Sequence, residues 1–125
     1  MRALVIAILV GLLSDIGCRE DTRPTPAEIT DRAWAAHAVV IAAGERAPTC
    51  AEAGAAMQQA FAELRPAFVA AMALDRDKAK LAEATDFLEA NARRYADLET
   101  RMIALADRCA DDLTVQAAFD QMSSP

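Results

Sequence analysis

The sequence predicts an all-α fold, a small antiparallel bundle of three long helices and one short C-terminal helix. Three observations carry that prediction. Alanine, the best helix former, dominates a chain with only 4 glycines, and no stretch alternates apolar and polar residues as a strand would. Heptad steps back from Cys109 meet Met102, Tyr95, Leu88 and Leu81, interleaved with Leu105, Leu98, Asn91 and Ala84. Heptad steps forward from Cys50 meet Met57, Leu64 and Ala71, with Gly54, Phe61 and Phe68 beside them. Two long helices are therefore expected to pair as a hairpin with a cysteine at each open end. With 125 residues, the chain has room for one such domain.

Taken in order, Met1 to Cys18 holds one basic residue, Arg2, an apolar run from Ala3 to Leu13, and the ending Ser14-Asp15-Ile16-Gly17-Cys18. That is the layout of a secretory signal, and the run falls well short of the roughly 20 residues a spanning helix needs. The ending resembles the lipobox of bacterial lipoproteins, with Gly17 as the small residue before the cysteine and Asp15 departing from the usual aliphatic residue. The resemblance implies that residues 1–17 are a signal peptide and that Cys18 is lipidated. It places the protein on a membrane of the bacterial cell envelope through a lipid anchor, facing the periplasm. The alternative is an incidental cysteine behind an ordinary signal or an uncleaved anchor.

Residues 18–24 form the lipidated N-terminus and a polar tether closed by Pro24, and residues 25–122 form the helical bundle. Thr25-Pro26-Ala27-Glu28 is a capping box with proline at the first helical position, and the first helix is expected to stop near Gly44. Thr49-Cys50-Ala51-Glu52 repeats the capping signal and starts helix two, in which Pro66 should produce a kink. The charge run Asp75 to Lys80 marks the hairpin turn, and a third helix is expected to run unbroken from Leu81 to Cys109. Asp111-Asp112 caps a last helix built on Leu113, Val115, Ala118, Phe119 and Met122, and residues 123–125 should fray. Glu28–Arg32, Glu89–Arg93 and Asp97–Arg101 stand four apart in the order that favours ion pairs.

With 19 acidic and 13 basic residues the net charge is -6, which argues against nucleic acid, or an anionic lipid surface, as a partner bound through charge. Export makes a disulfide between Cys50 and Cys109 the natural reading, and the alternative is two free thiols serving as small apolar residues in the seam. His37, the single histidine, sits among Ala33, Trp34, Val40 and Ile41. It reads as a histidine at the edge of the core. A haem or small-ligand bundle, with His37 paired to Met57, Met72 or Met102, is the alternative. One histidine cannot furnish a di-iron or zinc site, and no nucleophile elbow or phosphate loop is present, so no enzyme, metal or cofactor is expected. The expected role is a structural or protein-binding component of the envelope. Its docking surface should be the stretch of helix three that outruns its neighbours, or the groove beside Trp34 and His37.

Overall fold

The computed structural model describes residues 22–125, so residues 1–17, Cys18 and most of the tether lie outside the described residues. The described chain is all-α, with five helices and no strand among the described residues. They are α1 (Pro26–Arg46), α2 (Cys50–Ala73), α3 (Lys78–Ala90), α4 (Ala92–Arg108) and α5 (Leu113–Ser123), and a 3-10 turn over Leu74–Arg76 joins α2 to α3.

Local chemistry explains most of the helix ends. At the start of α1 the Glu28 amide donates to Thr25 Oγ1 at 3.2 Å and the Thr25 amide donates to Glu28 Oε2 at 3.4 Å, so the capping box is complete. At α2 the Glu52 amide donates to Thr49 Oγ1 at 3.2 Å. Asp77 starts α3 by accepting from the amides of Ala79 and Lys80, and Asp112 starts α5 by accepting from those of Thr114 and Val115. Pro66 lies on the exposed side of α2, which continues through it to Ala73.

Four expectations need correction. Gly44 does not stop α1, which runs on to Arg46; Ala47 then turns extended, at φ -74° and ψ 138°, because the following Pro48 disfavours helical geometry in the residue before it. Gly44 is instead a contact point, since a Cβ there would lie 2.8 Å from Leu105 Cδ2 and Met57 Sδ.

The third long helix is two helices. Asn91 leaves helical geometry at φ -112° and ψ 15°, and its side-chain amide donates to the Phe87 carbonyl oxygen at 2.8 Å. A short amide side chain competing for a carbonyl of the preceding turn is a common way to break a helix. The break lies between Glu89 and Arg93, which therefore do not form the expected ion pair.

The hairpin is also split. α1 packs against α2, α3 and α4, while α2 and α4 make few direct backbone contacts and α5 packs on α2. Ala33, Ala36 and Gly44 are buried on α1, and residues that small let helices approach it from two sides. The faces marked by the heptads are buried or half-buried except at Leu81, and they pack mainly on α1, with Gly54 of α2 lying under α5.

The fourth correction concerns the last helix. Leu113, expected in the core, is 84% exposed, while Val115, Ala118 and Met122 are buried against α2. α5 runs to Ser123, and the Pro125 carbonyl oxygen accepts from Arg65 Nε at 3.0 Å and Nη2 at 2.8 Å.

The core centres on Val40, Ile41, Met57 and Val115, whose side chains are fully buried. Each contributes about 1.5–3 kcal/mol relative to exposure.

Candidate functional site

Three regions of the bundle hold the residues singled out by the sequence. At one end, Cys50 in the first turn of α2 and Cys109 at the C-cap of α4 form a disulfide, with Cα atoms 5.6 Å apart. The staple joins two helices that make few direct backbone contacts.

In the middle, His37 belongs to a run of aromatic contacts that crosses the bundle. Phe61 and Phe68 of α2 lie 5.0 Å apart, and Phe68 lies 4.6 Å from the His37 ring. Trp34 lies 5.7 Å from His37 and stacks on Tyr95 of α4 at 4.7 Å, and Phe87 of α3 completes the run 6.3 Å from Tyr95. Rings from four helices thus meet through the histidine and the tryptophan of α1. His37 Nδ1 donates to the Ala33 carbonyl oxygen at 2.8 Å, which assigns the proton to Nδ1 and leaves Nε2 as the unprotonated nitrogen.

Beside the ring is a cleft of roughly 230 Å³ walled by Thr30, Trp34, Leu74, Leu81 and Leu88, with Asp75 among its lining residues. No methionine lines it. Met57 is fully buried, Met72 lies exposed on α2 and Met102 is half-buried on α4. The cleft is also smaller than the roughly 300–1,000 Å³ that drug-sized ligands occupy. Among the described residues, no group of three or more His, Cys, Asp or Glu side chains is placed to hold a metal ion.

Burial pushes the His37 pKa below its ordinary value of 6.5, against a smaller upward pull from the bond to Ala33. With the folded pKa depressed, the unfolded chain takes up its proton first as pH falls. Stability is therefore full above about pH 7 and declines as pH drops through 6.5 towards the folded value. Urea midpoints should fall between about pH 7 and pH 5.5, and His37→Gln should flatten that slope. Glu45 and Asp112, whose carboxyls are held low by hydrogen bonds from Arg101 and Thr114, respond only in more acidic solution. An unchanged slope in the variant would show that His37 is not the titrating group.

An ionic rail runs along the α1/α4 contact, which the sequence reading did not foresee. Tyr95 Oη donates to Asp31 Oδ1 at 2.8 Å, Arg94 pairs with the same carboxylate at 3.0 Å, and Arg101 pairs with Glu45 at 2.5 Å and with Asp97 at 3.9 Å. Of the three expected ion pairs only Asp97–Arg101 forms among the described residues, and it is the longest of the contacts Arg101 makes.

The third region is the outer side of α2, where Val69 and Met72 are 44% and 46% exposed between Arg65 and Arg76. No helix among the described residues is long and apolar enough to cross a membrane. No protein family, no curated protein and no solved structure matches this chain.

Proposed function

We propose that this chain is a small lipid-anchored protein of the bacterial cell envelope, held at Cys18 and facing the periplasm, where it serves as a structural or protein-binding component. The observation that carries the reading is the Cys50–Cys109 disulfide, a bond that persists in oxidising compartments outside the cytoplasm. The sequence supports it from the other end, with an apolar leader and a Gly17-Cys18 junction. The first helix is capped by Thr25, so an anchor on Cys18 would hold the bundle within about 23 Å of the membrane at the extended reach of seven residues.

Intact-mass measurement of the protein extracted from membranes tests this directly. The expected species lacks residues 1–17, carries acyl mass on Cys18, and gains two hydrogens on reduction. A chain with its first residues retained and three alkylatable thiols would end the reading.

A small-ligand role rests on the cleft beside His37 and is the second reading. Titration with haem should leave the Soret band of free haem unshifted. A shift that disappears in His37→Ala would move this reading to first place.

A further inference from the structure

We infer that the C-terminal half of α2 lies on the lipid headgroup surface, with Val69 and Met72 inserted and Arg65 and Arg76 against lipid phosphates. The inference rests on the anchor at Cys18 and names what the anchored bundle touches. Arg65, Val69, Met72, Ala73 and Arg76 line one open groove of roughly 400 Å³, bounded at the Arg65 end by Ser124 and Pro125, and their spacing sets them along a single face.

The fold shows why this face is bare. α5 covers α2 from Gly54, which meets Thr114, to Arg65, which holds the Pro125 carbonyl oxygen. α5 has 11 residues against 24 in α2 and ends there, so the following turns of α2 have no helix over them.

The bare face lies at the tether end. α1 and α2 run antiparallel, and Thr30 near the start of α1 shares the His37 cleft with Ala71 and Leu74 at the end of α2. The described chain begins at Thr22, a few residues before Thr30, so a lipid on Cys18 would bring this end of the bundle to the membrane.

Charge favours the same orientation despite the net -6. Glu45, Glu52, Asp107, Asp111 and Asp112 outnumber Arg46, Arg101 and Arg108 at the disulfide end of α2, about 29 Å from Val69 at 1.5 Å per residue. That is several screening lengths at physiological salt. Near the bare face, Asp75 and Asp77 count against Arg65, Arg76, Lys78 and Lys80, so the basic excess there is two charges. Lys78 and Lys80 follow in the same turn and add positive charge. Two apolar side chains and two arginines make a weak contact in free solution. A covalent tether raises their effective concentration at the membrane and makes it sufficient.

The test uses the full chain isolated from bacterial membranes and reconstituted in vesicles of phosphatidylcholine with phosphatidylglycerol. A polarity-sensitive thiol dye is placed on V69C, on M72C and, as a control on α4, on I103C, and the unsubstituted chain reports whether Cys18 is free. At positions 69 and 72 a nitroxide on a shallow acyl carbon should remove about half the emission or more, since interfacial helices reach roughly 5–10 Å into the boundary. Position 103 should be little affected. Omitting phosphatidylglycerol should weaken the quenching at 69 and 72, which separates headgroup charge from apolar insertion.

If Cys18 is blocked and positions 69 and 72 are quenched no more than 103, the inference is overturned while the anchor stands. Quenching at 69 and 72 with a free Cys18 upholds the surface contact and overturns the anchor. A dye at 69 and 72 shielded from both lipid and aqueous quenchers would show that protein covers the face, and would overturn the inference.

Discussion

A Cys50→Ala/Cys109→Ala double variant, or the native chain held in reductant, should melt about 20 °C below the oxidised protein. The bond closes a loop of 59 residues in sequence separation, and the chain-entropy treatment assigns such a loop about 4 kcal/mol, most of it from restricting the unfolded state. For a domain of about 100 residues, each kcal/mol moves the midpoint by roughly 4–8 °C. Topology adds to the effect. α2 and α4 have few direct backbone contacts, and near the disulfide their side chains meet over α1, where Met57 and Leu105 both reach Gly44. Reduction leaves that side-chain meeting as the main link between them, so the end of the bundle at Gly44 and Leu105 should open first. Helix content at low temperature should change little, because the caps at Thr25, Thr49, Asp77 and Asp112 act within single turns. A fall of only a few degrees would mean that the unfolded chain is already restrained near this loop, or that the bond strains the fold by nearly as much as it stabilises it.

What the sequence made legible, and what it concealed, divides by the range of the interaction responsible. Thr25, Thr49 and Asp112 could be read as helix starts because a cap is made within three residues of itself. The cysteine pairing could be read because both residues end a buried face. Which helix meets which was not legible. Heptad spacing through Tyr95, Leu98 and Leu105 defines a face, and the same face fits α1 or α2 equally well. Asn91 shows a subtler failure: a polar residue in a seam reads as a register marker, whereas its amide captures the Phe87 carbonyl and breaks the helix. Gly44 was misread because a glycine near a helix end has two causes, a stop or a close neighbour, and only the fold shows the neighbour. The bare face of α2 follows from the length of α5, a comparison between elements 60 residues apart in the Arg65–Pro125 contact.

Gly54→Ala should lower stability by about 2 kcal/mol, although alanine is the better helix former. In an exposed helix the substitution would help by about 1 kcal/mol. Here α5 crosses α2 directly over Gly54, and a Cβ would stand 2.6 Å from the Thr114 carbonyl carbon and closer still to its hydroxyl oxygen. A backbone atom cannot rotate away. Thr114 is also fixed, since its amide and hydroxyl both donate to Asp112 and its carbonyl oxygen accepts from Gln58 Nε2 at 2.9 Å. Relief therefore requires α5 to shift as a unit, which loosens Val115, Ala118 and Met122 from the core. Overpacking of this kind costs about 3 kcal/mol at the upper end of the usual range, leaving the net loss stated. Gly44→Ala is the informative comparison, because the atoms it meets are the ends of the Met57 and Leu105 side chains, which can move. Its loss should be about 1 kcal/mol or less. Amide exchange should identify the element responsible, with α5 losing protection in Gly54→Ala before α1 or α4 does. If Gly54→Ala proves as stable as the native protein, the close crossing of α5 over α2 is wrong, and with it the reason Val69 and Met72 stand uncovered.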